Sequence, residues 1–589
     1  MLHGNATLFI ALWQHIARRR RIQFFSLLIL MGVTSLFEMV GIGAVLPFLA
    51  VLTSPIRVFA HPETASFIQF LGITSAGQLV LPLTIGFVLI ALTATSLRLL
   101  TVWASTRLSY ATGGDLSLTM YRLMLYQPYA VHLAKNSSEA ITLITNKANV
   151  LASFIMTAAT IVSATASLIA ILIALVLIDP FISLAIFLSF GLVYGLTIKL
   201  TRVRLLENGR VIARESTVVL KSLQEGFGGI RDIIIDGRQT VYCEIYRRAD
   251  FPMRLALGSN AFINVGPRYV IEALGMLVIA ALAYFLNRQS DGIVAAIPVL
   301  GAFVLGAQRL LPVLQQAYAA WSNIRGSQAS LQEAVDFLEQ ELPEYSDEPA
   351  TEPILAWHQI GLNELSFRYR EDAPWILRNV NLTIEKGSCV GFIGASGSGK
   401  STLLDIIMGL LDPTSGALTI DGRRITRGNR RAWQAHIAHI PQVIFLTDGT
   451  IEENIAFGVL KEEIDHERVR AVARQAQIDG VVEAWPDKYQ TRVGERGIQL
   501  SGGQRQRIGI ARALYKRAEV LIFDEATNAL DAETEKAVMS SIEGLRAEFT
   551  ILIIAHRTST LSGCAQIVEL GGGGIMRIGT FQEISSLPQ

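Results

Sequence analysis

Apolar residues come in six long runs over the first half of the chain and then give way to short segments set among polar ones. The runs begin near Ile22, Leu79, Leu151, Pro180, Phe262 and Ile293, and each is long enough to cross roughly 30 Å of hydrocarbon. Six membrane-spanning helices are therefore predicted. Spans three and four meet at Asp179 and Pro180, and spans five and six at Asn287 to Gly292, which predicts tight turns. The connections from about 105 to 150 and from about 199 to 261 are instead long, polar and helical in character. The second carries Lys199, Arg202, Arg204, Arg210, Arg247, Arg248 and Arg254 among others. An excess of Lys and Arg marks the cytosolic side, which puts both loops, the cluster Arg18 to Arg21 and both termini in the cytosol. Each loop is expected to break before it returns, one at Gln127-Pro128-Tyr129 and the other at Glu225-Gly226-Phe227-Gly228-Gly229. For the glycines a plain turn and a functional contact are equally good readings.

Composition agrees with a membrane half joined to a globular half. Of 589 residues 51% are hydrophobic and 17% charged, against roughly 25% charged in a soluble domain. That argues against a wholly soluble or a disordered chain. The net charge of +1 conceals an asymmetry, with 25 Lys+Arg against 17 Asp+Glu in residues 1–340, leaving 26 against 33 beyond them. The halves are thus +8 and −7. Between them lies ELPEYSDEPATEPILA, acidic and Pro-bearing, which reads as a linker over 341–356. The division is a transmembrane domain at 1–340 and a soluble domain at 357–589. The apolar run after Arg21 is too long for a leader peptide and lacks a clear small-residue cleavage site, so it reads as a retained span. Cys243, Cys389 and Cys564 lie far apart without CxxC spacing, suggesting neither a disulfide scaffold nor a zinc site. A reducing cytosol suits them.

The soluble half opens on a phosphate-binding pattern. Residues 390–404, VGFIGASGSGKSTLL, combine an apolar strand, the glycine turn G-x-x-x-x-G-K-[ST] and a helix start. From Gly394 through Ser396, Gly397 and Ser398 to Gly399 the backbone can turn its N–H groups toward phosphate oxygens, with the positive end of the next helix behind them. Lys400 supplies a point charge to the β and γ phosphates. Ser401 offers a hydroxyl to Mg²⁺, and Thr402 follows it. A second apolar strand, Val520 to Phe523, ends in Asp524 and Glu525. Adjacent carboxylates there suit one indirect magnesium partner and one base that orients the attacking water.

In that setting Leu500-Ser501-Gly502-Gly503-Gln504 resembles the signature of ABC transporter ATPases. Gln442 in HIPQ resembles the Q-loop, Asp531 in NALD the D-loop, and His556 in IIAHR the switch histidine of that family. Tyr369 in LSFRY is placed like the aromatic on which adenine stacks, and TRVGERG at 491–497 is similar to a loop of the exporters that contacts the transmembrane helices. The resemblance implies an α-helical membrane domain of six transmembrane helices with long cytosolic extensions, type I exporter-like, followed by an α/β P-loop ABC ATPase domain. Glu525, His556 and Gln442 would be catalytic. Ser401, Gln442 and Asp524 would serve the metal, and ATP with Mg²⁺ would be the cofactors. In the family the signature of one domain closes over the phosphate loop of another, so one copy of each implies a dimer; no catalytic position departs from the pattern, which favours a homodimer over a heterodimer with one dead site, and no nucleic acid partner is implied. Two positions depart from the pattern: Asn528 stands where Ser is usual, and Thr447 where an aromatic is common.

For the transported molecule the ionisable residues of the spans matter most, since intramembrane charge is a functional hypothesis by default. These are Glu38, Arg98, Arg268, Glu272 and Arg309. At about 1.5 Å per residue, all three arginines fall near the inner leaflet. They either snorkel to headgroups or form a cation cluster in the central cavity, and guanidinium forks match phosphate oxygens. FEMVGIGAVLPF (37–48), SLRLL (96–100), PRYVIEALG (267–275), QRLLP (308–312) and YQPYAVHLAKNSSE (126–139) resemble segments of bacterial ABC flippases for lipid-linked oligosaccharides. In those flippases the substrate is a polyprenyl-diphosphate glycan, and residues 62–72 correspond to a short external helix, for which an ordinary loop is an equal reading here. The resemblance implies a multi-pass protein of the bacterial inner membrane. Multidrug or lipid A export is the alternative, and a nontransporting regulatory ATPase the third reading.

Overall fold

The computed structural model describes residues 3–585 except 54–55, 57–58, 60–74, 135–136, 179, 287–291, 343–353, 355, 495–496, 526–531, 544–548 and 556–560. Residues 62–72, for which an external helix and an ordinary loop are equal readings, most of the expected linker, Asn528, and Glu495 and Arg496 of the TRVGERG loop lie outside the described residues. The chain divides into two compact units, 1–127 with 132–342, and 128–131 with 343–589.

The first unit is helical. Its long elements are α1 (His3–His15), α2 (Arg18–Gly43), α3 (Val45–Thr53), α4 (Val80–Tyr126), α5 (Ala148–Ile178), α6 (Pro180–Gly228), α7 (Gln239–Leu286), α8 (Gly292–Gly326) and α9 (Gln328–Leu338). Among the described residues, three stretches are long and apolar enough to cross a membrane: Arg18–Thr53, Ala76–Tyr126 and Ser138–Ile178. Helices α6, α7 and α8 run through the segments where the last three spans are expected. Exposed Leu, Ile and Phe side chains are abundant on α2, α4 and α6, as they are where lipid rather than water covers a surface.

The first break falls where expected, at Gln127 and Pro128, because Pro disfavours helix in the residue before it. The second falls at the last residue of the expected glycine run: α6 continues through Gly226 to Gly228, and only Gly229 leaves the helical region before the short helix Ile230–Ile235. A further turn at Asp236 to Arg238 precedes α7, which then accommodates Pro252 and Pro267 in its interior.

Helices in this unit meet through small and polar residues, which let backbones approach closely in an apolar medium. On α2 the buried set Leu27, Met31, Thr34, Ser35, Glu38, Gly41 and Ile42 recurs at helical spacing. Thr34 and Thr101 share a hydroxyl hydrogen bond of 2.8 Å between α2 and α4. The Asn208 amide donates to Asn260 at 2.8 Å, and Asn264 to Asn323 at 2.8 Å. Beside the first pair, a Cβ on Gly209 would stand 2.3 Å from the carbonyl oxygen of Gly326.

In the second unit, strands β1 (Gln359–Phe367), β2 (Leu377–Glu385), β4 (Ser415–Ile420) and β5 (Arg423–Arg424) form an antiparallel sheet in the order β2-β1-β4-β5. A six-stranded sheet has the order β10-β9-β3-β8-β7-β6. It comprises β3 (Cys389–Ile393), β6 (Ile437–Ile440), β7 (Val520–Asp524), β8 (Thr550–Ile554), β9 (Gln566–Gly571) and β10 (Gly574–Gly579). All neighbours are parallel except β9 and β10. Side chains alternate between faces of a strand. Accordingly Leu521 and Phe523 enter one core and Val520 and Ile522 another, while Ile551 and Ile553 part from Leu552 and Ile554 in the same way. Burial on both faces is why these strands read as continuous apolar runs.

The close approach at Gly209 gives a direct test. Gly209→Ala places a methyl against backbone and is expected to lower the melting temperature of the detergent-solubilised protein by the equivalent of about 1–3 kcal/mol. Gly258→Ala, on α7 with nothing within 4 Å of the added carbon, is expected to leave it level or slightly raised.

Candidate functional site

Open parallel sheets gather ligands at the carboxyl ends of their strands, and three such ends, those of β3, β6 and β7, collect the candidate chemistry among the described residues. β3 ends at Ile393, and the chain turns through Gly394 to Gly399 into the helix Lys400–Ile407. Gly394 has φ +142°, and a Cβ there would lie 2.2 Å from the carbonyl oxygen of Leu570. Only glycine lets the loop lie against the end of β9. Ser396 and Gly397 are exposed at its crest. Lys400 is buried, and its ammonium donates to the carbonyls of Gly394 at 2.8 Å and Ala395 at 3.0 Å. The Ser398 hydroxyl is buried without a protein partner among the described residues. A glycine cradle with a buried cation inside it fits a polyphosphate.

β7 brings up the carboxylates. Burial and the neighbouring Glu525 push the Asp524 carboxyl above its ordinary range, while the Ser401 hydroxyl bonded to it and the Lys400 ammonium pull it back. Glu525 adopts a left-handed backbone, φ +52°, and its Oε2 accepts a 2.7 Å hydrogen bond from the Gln442 amide. Gln442 itself follows the end of β6. Phosphate-loop serine, two carboxylates and glutamine thus meet in one place. His556, just beyond β8, and Asp531 lie outside the described residues. Tyr369 is half exposed, set edge-on to Phe367 with ring centroids 5.0 Å apart, and its hydroxyl lies 3.1 Å from that of Thr402. Ser501 caps the helix Gly502–Tyr515, its hydroxyl accepting from the Gln504 N–H while the Gln504 side chain accepts from the Ser501 N–H. Gly502 and Gly503 are the first helical residues.

Comparison with known proteins decides what this arrangement is. Residues 377–528 match the family described as ABC transporter. The matched stretch takes in the phosphate loop, the Ser501-Gly502-Gly503-Gln504 segment and the Asp524-Glu525 pair. The ATP-dependent lipid A-core flippase of Alkalilimnicola ehrlichii is 32% identical over 364 residues, 61% of this chain and 61% of that protein. The same-named protein of Saccharophagus degradans is 42% identical over 226 residues, 38% of each chain. The putative multidrug export ATP-binding/permease protein YgaD of Bacillus subtilis is 33% identical over 315 residues, 54% of this chain and 53% of that one. These matches each span less than two thirds of the relative's own length. A solved bacterial Atm1-family ABC exporter with ATP bound superposes with a TM-score of 0.75, covering 97% of this chain and 96% of that one at 22% identity. The whole chain therefore shares the fold of that exporter, and its first half carries helices long and apolar enough to cross a membrane.

Within the ABC transporter domain, two groups escaped the sequence reading. Asp405 lies one helical turn beyond Ser401, and burial together with Asp524 pushes its carboxyl up to about 6. The i, i+4 spacing from Ser401 was the available signal. Arg512, late in the helix that begins at the signature, donates from Nε to the Asn454 carbonyl and from Nη1 to the Phe445 carbonyl, both at 2.9 Å. Burial pushes it down to about 10, so it stays charged at neutral pH. Asn454, fully buried, in turn accepts from the Thr447 N–H at 3.0 Å. Nothing in the local sequence marks that network.

In the membrane unit the three arginines separate into two situations. Arg98 lies 3.6 Å from Glu38, whose carboxylate is buried and whose second oxygen has no partner among the described residues. A Cβ added to Gly41, one turn further along α2, would stand 3.8 Å from Arg309 Nη1. Arg98 and Arg309, from α4 and α8, therefore both approach α2. Arg268 instead donates to Glu272 on its own helix at 2.6 Å and is exposed.

Asp405 yields a signed pH prediction. Its folded pKa lies above the unfolded value of about 3.9, so its contribution to stability is complete below that pH and lost as pH rises through about 6. Asp405→Asn removes the loss. The variant is expected to melt several degrees above wild type at pH 7.5 and at nearly the same temperature at about pH 3.5, below the unfolded value; a penalty at pH 7.5 would contradict the burial argument.

Proposed function

We propose that the protein is an ATP-driven flippase acting as a homodimer. It carries a polyprenyl-diphosphate oligosaccharide from the cytosolic to the outer leaflet of a bacterial inner membrane, with both termini cytosolic. The observation that supports this substrate class is the approach of two arginines to neighbouring turns of α2, Arg98 beside Glu38 and Arg309 beside Gly41. Two guanidiniums near a stretch of helix that carries one carboxylate leave a net positive charge there. An unscreened diphosphate in hydrocarbon is prohibitive, and guanidinium forks pair well with phosphate oxygens. Arg268, tied to Glu272, is the weaker member of the set. A second reading, lipid A export, has its own support in the relatives named lipid A-core flippases, and lipid A is also a phosphate-bearing glycolipid.

On the ATP side, Gly394 to Gly399 and Lys400 bind the phosphates and Tyr369 stacks on adenine. Ser401 and Asp524, with Gln442 in reach, would hold a magnesium ion, whose charge offsets that of the β and γ phosphates. Glu525 orients the attacking water and takes its proton, and the Gln442 amide fixes the orientation of the Glu525 carboxylate. Because the chain has one phosphate loop and one signature, Ser501, Gly502, Gly503, Gln504 and Asp531 complete the site of a second copy, and His556 faces the γ phosphate.

Reconstituted liposomes provide the test. Glu525→Gln is expected to bind ATP yet lose turnover and flipping by about 10²-fold or more. Arg309→Ala and Arg98→Ala are expected to slow movement of a short polyprenyl-diphosphate glycan about tenfold or more, with Arg268→Ala milder. Faster movement of lipid A than of the glycan would favour the second reading. Transport of a cationic drug, indifferent to all three arginines, would return the protein to general export.

A further inference from the structure

Cys389 and Cys564 stand 175 positions apart in sequence, yet their sulfurs are 2.7 Å apart. Cys389 opens β3, and Cys564 lies two residues before β9, its parallel neighbour. The Ala565 N–H donates to the Cys389 carbonyl at 3.0 Å, so the two backbones are already at strand-pair spacing, inside the range that a disulfide spans without backbone movement. Both side chains point into the same apolar core, among Ile551, Leu561 and Ile567. Cys243, in the other unit, is exposed.

We infer that Cys389 and Cys564 form a disulfide when the protein meets a small peroxide, stapling the entry of β3 to the approach of β9. The chemistry balances in two steps. One thiolate attacks hydrogen peroxide and becomes a sulfenic acid as hydroxide leaves and takes up a proton to form water. The second thiolate then attacks that sulfur, forming the S–S bond and releasing a second water. Two thiols are oxidised by two electrons, and one peroxide is reduced. Burial favours the neutral thiol and slows the first step, whereas the second is fast because its partner is already in place. The bond closes a loop holding most of the ATPase domain, which restricts the unfolded chain. It lies at the opposite end of β3 from the phosphate loop, so nucleotide binding survives it.

The test uses the full-length protein in detergent, treated with hydrogen peroxide, alkylated with N-ethylmaleimide under denaturing conditions and digested without reduction. A peptide linking Cys389 to Cys564 is expected in wild type and in Cys243→Ser, and none in Cys389→Ser or Cys564→Ser. Oxidised wild type is expected to melt several degrees higher, the gain vanishing with dithiothreitol, while fluorescent ATP analogue binding stays within about twofold. Recovery of both cysteines fully alkylated after peroxide, or linkage only through Cys243, would overturn the inference. The wild-type peptide map decides alone, so a serine variant that fails to fold leaves the test intact.

Discussion

Two carboxylates in adjacent positions repel each other, and the candidate site depends on how β7 ends so that both can be kept. An extended strand would send their side chains to opposite faces. Instead Asp524 completes the strand and takes the Ser401 hydroxyl, while Glu525 turns into the left-handed region and reaches Gln442. A non-glycine residue with positive φ costs of order 1–3 kcal/mol. That cost is offset by the two buried cores that grip β7 from both sides and by its parallel neighbours β6 and β8. The sheet is thus more than a scaffold. Its order sets which side chains share the carboxyl edge.

The same edge explains how much was readable beforehand. The glycine turn, Lys400, Ser401 and the Asp-Glu pair are local features with spacing imposed by backbone chemistry, and they are legible as such. Asp405 is not, because its unusual state arises from burial beside Asp524, which lies more than a hundred positions away. Cys389 and Cys564 escape for the same reason, since only the β3-β9 pairing brings them together. In the membrane half, periodicity places the helices but not the break after α6. Glycine is permissive rather than prescriptive, and α6 passes through Gly226 and Gly228 before yielding at Gly229.

Charge is managed differently in the two units. In the ATPase domain the buried Lys400 is satisfied by backbone carbonyls of its own loop, a neutral and replaceable set of acceptors. In the membrane unit Arg98 has a carboxylate beside it, while Arg309 approaches the backbone of α2 at Gly41. Glu38 keeps one oxygen without a partner among the described residues, so the acid retains capacity to accept a further hydrogen bond.

Arg512 joins the helix that starts at Ser501 to the segment from Phe445 to Asn454 through backbone carbonyls. Carbonyls do not change rotamer, and the half-buried guanidinium meets two of them at once. Helix and loop are thereby tied at two points of one planar group. The tied loop carries Phe445, with Val443 two residues before it, and the apolar side chains of both stand exposed on the surface. Mechanical stiffness, rather than a relay of altered contacts, is what this corner of the domain provides.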